Sequence, residues 1–292
     1  MMSLPTALSD YLAMRRALGF QLHDTERCLR QFVDFVQTEG GAYITTELAL
    51  RWASQPSRAL PAYRARRLGM VRQFAHYCHA LDPRSEIPPV GLLPYRYHRK
   101  TPYLYRDEDL ERLLQATRQL PSPTGLRAAT YTTLFGLLIV TGMRISEPLA
   151  LDRTDVDLAL GTLTIRCTKF AKSRWLPLHP TTGQALQRYA ALRDRLQPEP
   201  TTPSFFLAEA GTRLTVNTVE QTFVKLSHRI GLRQPDDHVG PRLHDLRHRF
   251  AIQTLLGWYR AGLDVEQRLP QLAAYLGHAH INDTYLSEAS DK

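Results

Sequence analysis

Thr141-Gly142-Met143-Arg144-Ile145-Ser146-Glu147 is the stretch on which the second half of this chain turns. An apolar helical run over 125–140 leads into it, and Thr141-Gly142 breaks that run. Arg144 then opens a new short segment, with Glu147 three residues on and on the same helical face. At a helix start, free backbone N–H groups and a guanidinium could converge on one anion. Glu147 could orient Arg144 or a neighbouring base. An ordinary surface ion pair, worth little, is the alternative. Pro148 is expected to end or distort the segment.

Downstream, further cations and one tyrosine follow. Leu163, Ile165 and Cys167 alternate with Thr164 and Arg166, and Trp175-Leu176-Pro177-Leu178 is a second extended run. Between them lies Lys169-Phe170-Ala171-Lys172-Ser173-Arg174, so residues 162–178 read as a β-hairpin with a basic tip. Such a tip is narrow enough to enter a DNA groove through Lys172 and Arg174. His244-Asp245-Leu246-Arg247-His248 starts a helix, with His244 and Arg247 on one face and Leu246, Phe250, Leu255 and Trp258 packing it. Leu276-Gly277-His278 and Tyr285 complete the set. Further helices are expected near 107–115, 181–195, 216–230, 244–260 and 270–276. No carboxylate cluster or metal-ligand set accompanies these residues, and no cofactor is implied. Two arginines, two histidines, a lysine and a tyrosine can attack a phosphodiester: guanidiniums bind phosphate oxygens, tyrosine is a nucleophile, and lysine and histidine manage protons.

The N-terminal part reads as helices. Residues 24–38 space Cys28, Leu29, Phe32, Val33 and Val36 helically, with Asp24 as a plausible cap and Gly40-Gly41 as a stop. Thr45 or Thr46 caps a short helix through Trp52, and 61–81 carries Leu68, Val71, Phe74, Tyr77, Cys78 and Leu81. Arg64, Arg66, Arg67 and Arg72 fall mostly off that stripe, which predicts a small bundle with one basic, DNA-facing side. Residues 83–103 hold Pro83, Pro88, Pro89 and Pro94, then Tyr95-Arg96-Tyr97-His98-Arg99-Lys100. They read as an interdomain linker, either lying along DNA or serving as a solvated spacer.

Composition agrees with an anionic partner. The 292 residues carry 37 Lys+Arg against 28 Asp+Glu, a net charge of +9. Residues 51–100 alone hold ten Lys/Arg and two acids, while 1–50 hold four arginines and six acids. That local excess suits repeated phosphate contacts. Three scattered cysteines form no CxxC pair. No basic n-region precedes an apolar run at the start, and the longest apolar stretch, near Leu134–Val140, is too short for a bilayer. A cytoplasmic protein without a membrane partner is the expectation.

Taken together, the motifs at 141–147, 172–178 (Lys-Ser-Arg-Trp-Leu-Pro-Leu), 244–248 and 275–278 (Tyr-Leu-Gly-His) resemble those of tyrosine recombinases of the phage integrase family. They are similar to Xer-type and transposon-borne integrases in order and approximate spacing. The resemblance implies a mainly α fold with a small β-hairpin or sheet. It divides the chain into a helical core-binding domain (1–82), the linker (83–103) and an α+β catalytic domain (104–292). It also implies site-specific recombination of double-stranded DNA, with four protomers on two sites and a 3′-phosphotyrosyl intermediate that needs no ATP.

In that scheme Arg144 and Arg247 clamp the non-bridging oxygens, and His244 and His278 hydrogen-bond the phosphate and assist proton transfer. Lys169 is the general acid for the leaving 5′-oxygen, with Lys172 the competing choice. The family's tyrosine commonly lies nine residues after the last histidine. Here that position is Ser287, and Tyr285 lies seven on. Either Tyr285 is the nucleophile through a shorter connection, or the tyrosine is displaced and activity impaired. Tyr275 sits in an apolar run and reads as core. The chain ends seven residues after Tyr285, so the tail helix that couples subunits in many members is expected to be short or missing. A DNA-binding relative without cleavage and a type IB topoisomerase are the competing readings.

Overall fold

A computed structural model describes residues 3–57, 59–95, 101–166, 173–234, 236–237 and 240–277. It divides into two compact units, 1–100 and 101–292.

Among the described residues the first unit has four helices: α1 (Leu4–Ala17), α2 (His23–Thr38), α3 (Thr46–Ser54) and α4 (Pro61–Leu81). Thr45 accepts from the Leu48 N–H and caps α3. Pro61 starts α4, where a missing N–H costs nothing. Asp24 is not the cap of α2; Leu22 holds that place with φ +55 and no side-chain bond. The helices close on Leu12, Leu29, Phe32, Trp52, Leu68, Val71 and Phe74. Truncating one of the large aromatics to alanine would cost about 3–5 kcal/mol.

One expectation fails here for a tertiary reason. Arg67 is not on the basic side of α4. It is 8% exposed, its guanidinium lies 3.7 Å over the Trp52 ring, and it donates to the Trp52 carbonyl. Its aliphatic stem packs like a core residue while its head stacks on an aromatic face. Residues 86–89 of the expected linker are tied back to the helices of the first unit. The Glu86 N–H donates to the Ile44 carbonyl, the Glu86 carboxylate accepts from the Thr46 N–H, and Arg72 donates to the Pro88 and Pro89 carbonyls. Carbonyls of a segment outside helix and sheet have no ladder to join, so a neighbouring arginine satisfies them.

The second unit holds α5 (Asp107–Arg118), α6 (Leu126–Thr141), α7 (Ser146–Ala150), a 3-10 turn (Arg153–Asp155), strands β1 (Val156–Asp157), β2 (Thr162–Ile165) and β3 (Arg174–Pro177), then α8 (Pro180–Leu196), α9 (Val216–Arg229), α10 (Leu243–Arg260) and α11 (Val265–Leu276). The mainly α expectation with a small sheet is met. The sheet is antiparallel in the order β1-β2-β3, with Leu163 opposite Leu176 and Ile165 opposite Arg174. The tip of the expected hairpin lies outside the described residues. α6 buries Leu126, Leu134, Phe135, Leu137 and Leu138, as a central helix packed on several sides must. Pro148 does not end α7; it sits in the first turn, where its missing donor is not needed. α11 begins at Val265 rather than near 270, with Pro270 inside it. No described helix is long and apolar enough to cross a membrane.

Candidate active site

The site is built at the C-terminal ends of two helices. α6 ends at Gly142, at φ +61, where an added Cβ would stand 2.6 Å from the Phe250 ring. Only glycine fits that conformation and that approach. The Gly142 carbonyl accepts from Arg247 Nη1 at 2.9 Å.

α11 ends at Gly277, at φ +68. Its last three carbonyls each receive a different arginine. Tyr275 O accepts from Arg174 Nε (2.9 Å), Leu276 O from Arg247 Nη2 (2.8 Å) and Gly277 O from Arg144 Nη2 (3.0 Å). Carbonyls at a helix C-terminus have no intrahelical partner and carry the negative end of the dipole. Guanidiniums are the natural groups to satisfy them.

Glu147 ties the arginines together. It is 7% exposed and accepts four hydrogen bonds: from Arg144 N (3.0 Å), Arg144 Nη1 (3.2 Å), Arg174 Nη1 (3.1 Å) and Arg174 Nη2 (2.9 Å). Burial alone would raise its pKa. The Arg174 hydrogen bonds and charge, then those of Arg144, outweigh burial and hold the carboxyl below the usual range. The Arg144 N–H is therefore taken by Glu147, not left free for an anion, and α7 has only five residues.

Arg247 is the buried cation of the set, 3% exposed. Among the described residues it has no carboxylate within salt-bridge distance, only the two carbonyls. Desolvation, then the Arg144 charge, lowers its pKa to about 9, so it stays charged at neutral pH. Arg144, Arg174 and Arg247 thus stand around one carboxylate, an arrangement with positive charge to spare. A guanidinium has five N–H donors; the bonds above use two on Arg144, two on Arg247 and three on Arg174.

His244 lies in the first turn of α10. Asp245 fixes that turn by accepting from Arg242 N (2.9 Å) and Arg242 Nη2 (2.8 Å). The His244 ring is edge-on to His248, with centroids 5.0 Å apart. His244 is exposed to solvent, yet desolvation where the surrounding protein crowds it, then the His248 and Arg247 charges, pushes its pKa down to about 4. It is a neutral imidazole at pH 7. The Tyr275 ring stacks on Phe250, and burial pushes its phenol up to about 12.

The structure therefore brings Arg144, Glu147, Arg247 and His244 into one region of the second unit. Lys169, Lys172, His278 and Tyr285 lie outside the described residues. Arg174 departs from the expectation of a groove contact: its side chain is 14% exposed and turned inward. Strand alternation could have shown this. Arg174 and Leu176 share the buried face, while Trp175 between them is 81% exposed. The roles of Gly277 and of the Tyr275 and Leu276 carbonyls had no sequence signal. In the first unit, Arg64 donates to the Pro56 and Ser57 carbonyls, and exposed Arg66 lies 3.6 Å from Asp24. Among the described residues no group of three or more His, Cys, Asp or Glu could hold a metal ion.

Residues 104–288 match the phage integrase family. The protein named "Putative integrase/recombinase y4rB" of Sinorhizobium fredii (strain NBRC 101917 / NGR234) is 49% identical over 282 residues, 95% of this chain and 90% of that protein. Tyrosine recombinase XerC of Chlamydia caviae (strain ATCC VR-813 / DSM 19441 / 03DC25 / GPIC) is 31% identical over 219 residues, 75% of this chain and 64% of that protein. A solved structure of the Tn1549 transposon integrase in complex with a circular intermediate DNA covers 98% of this chain and 95% of that one, with a TM-score of 0.67 and 16% identity. That likeness concerns the fold.

Proposed function

The chain belongs to the phage integrase family, and from that premise we propose that it recombines double-stranded DNA at specific sites by breaking and rejoining strands. The observation that carries this reading is the Arg144–Arg247 pair. Among the described residues, buried Arg247 is bound only to carbonyls, and Arg144 shares one carboxylate with Arg174. Two guanidiniums with spare donors, held on rigid helix ends, supply what a scissile phosphate requires.

In this reading Tyr285 attacks the phosphorus as its hydroxyl proton passes to a neutral histidine, His244 or His278, and the DNA 5′-oxygen leaves, protonated by Lys169. The 3′-phosphate is then esterified to the tyrosine. Arg144 and Arg247 hold the non-bridging oxygens as charge grows on them in the transition state. His244 enters neutral, donating one N–H to the phosphate, and His278 supports it. A second strand's 5′-hydroxyl reverses the attack with the bond energy conserved. Exposed Arg66 and Lys172 track the backbone, and four protomers assemble on two sites.

The test is a suicide substrate: a duplex from DNA flanking the coding region, nicked beside the cleavage point. A covalent protein–DNA adduct is expected, lost in Tyr285→Phe. Adduct formation by Tyr285→Phe would remove Tyr285 from the role. Specific gel-shift binding by the wild type without any adduct would favour the binding-only relative, which the seven-residue spacing from His278 to Tyr285 also suggests. Relaxation of a plasmid lacking any specific site would favour a topoisomerase.

A further inference from the structure

Arg174 enters the site from the returning strand of the hairpin, and it meets two segments encoded far from it. Its Nη1 and Nη2 grip both oxygens of Glu147, 27 residues earlier, and its Nε reaches the Tyr275 carbonyl, 101 residues later. The guanidinium also lies against Gly277, whose missing Cβ would stand 2.8 Å from Nη1. All three bonding nitrogens face protein, and the side chain is 14% exposed. A groove contact would need those donors free.

Charge decides what this geometry accomplishes. Glu147 is buried and also touches Arg144. With Glu147 facing Arg144 alone, its negative charge would cancel the cation offered to phosphate. Arg174, bound bidentately at the same carboxylate, neutralises Glu147 instead. Arg144 and Arg247 then keep their combined charge for an anion. We propose that Arg174 is a positioning residue that neutralises Glu147 and locks the hairpin to the end of α11, so that Arg144 remains an effective phosphate-binding group. This rests on the reading of Arg144 and Arg247 as a phosphate clamp.

Neutralisation makes an unusual demand: a second substitution should repair the first. Arg174→Met leaves Glu147 to quench Arg144; adding Glu147→Gln removes the quenching charge. Inorganic phosphate binding, followed by NMR shifts of the arginine side chains, should weaken about tenfold or more in Arg174→Met and recover in the double variant. Single-turnover cleavage of the suicide substrate should fall about a hundredfold and recover in part. Arg174→Lys, which keeps the charge and gives Glu147 a partner, should lie between wild type and Arg174→Met in both. Each variant is compared below its own melting temperature.

A double variant no better than Arg174→Met in either readout overturns the proposal. So does a wild type that fails to bind phosphate. A loss confined to affinity for a non-specific 30-base-pair duplex, with the salt slope reduced by about one, would return Arg174 to a backbone contact. If the wild type binds phosphate in the expected pattern but forms no adduct, the recombinase reading fails and the role of Arg174 stands.

Discussion

The Leu276 carbonyl accepts a 2.8 Å hydrogen bond from Arg247, 29 residues earlier in the chain. With Tyr275 O on Arg174 and Gly277 O on Arg144, it makes the last turn of α11 the support on which three arginines converge. The segment that leads to His278 and Tyr285 therefore also positions the arginines of the proposed phosphate clamp. Geometry at this turn should matter more than its modest size suggests.

Gly277 tests that turn. Gly277→Ala places a Cβ at φ +68 and against the Arg174 guanidinium, and is expected to cost about 1–3 kcal/mol in urea unfolding. Gly257, in α10 with nothing within 4 Å of an added Cβ, is the control. Gly257→Ala should stabilise by about 0.5–1 kcal/mol. Equal effects at the two positions would contradict the packing described for Gly277.

Glu147→Gln should destabilise the second unit by about 3 kcal/mol, because it strips the counter-charge from two arginines, one of them largely buried. It should also flatten the acid limb of the stability curve. The folded carboxyl of Glu147 lies below its unfolded value, so its contribution is complete above the ordinary glutamate range and is lost as pH falls through the depressed folded pKa. Urea midpoints measured from pH 7 down to pH 3 on both proteins would show whether the limb belongs to Glu147.

His244 should titrate near pH 4 in the free protein, against an ordinary 6.5, as followed by imidazole NMR. Its folded pKa is depressed, so between about 6.5 and 4 the unfolded chain takes the proton first and stability falls with pH. A phosphate at Arg144 and Arg247 adds negative charge beside the ring and should move the midpoint upward. A midpoint at 6.5 that phosphate does not shift would separate His244 from the clamp.

Arg66 and Arg67, adjacent in sequence, should behave oppositely. Arg67→Met keeps the packing on Trp52 and removes a buried Nε that has no hydrogen-bond partner. It should change stability by less than about 1 kcal/mol and leave DNA affinity alone. Arg66→Ala should leave stability unchanged and lower DNA affinity, with a salt slope smaller by about one. Affinity loss in Arg67→Met with no loss in Arg66→Ala would overturn this division.

Much of the fold was legible because its signals are local. The apolar spacing of Leu68, Val71, Phe74 and Cys78 placed α4 at its observed bounds, Thr45-Thr46 marked the start of α3, and Gly142 ended α6. Alternation over 163–165 and 175–178 located β2 and β3. Misreadings arose where a side chain's partner lies far along the chain. Arg67 looked like a surface cation because nothing near it in sequence announces Trp52 beneath its guanidinium. Arg174 looked like part of the hairpin tip because the tip is basic, although its strand position faces inward. Asp24 lost the cap of α2 to Leu22, which shows how weakly a single propensity binds a helix end.

By itself, the sequence determined the family, the order of the motifs, the helical character of both units and the cations available for phosphate chemistry. These follow from residue types at short spacings, which local sterics and burial translate directly into elements. Only the tertiary structure decided how the cations divide their work: Arg174 to Glu147, Arg247 to two helix ends, Arg144 held between Glu147 and Gly277. Apart from the local Arg144–Glu147 pair, those pairings span 27 to 133 residues. They exist because buried carbonyls and a buried carboxylate must each find a donor once the helices have packed, and no local pattern specifies which donor arrives.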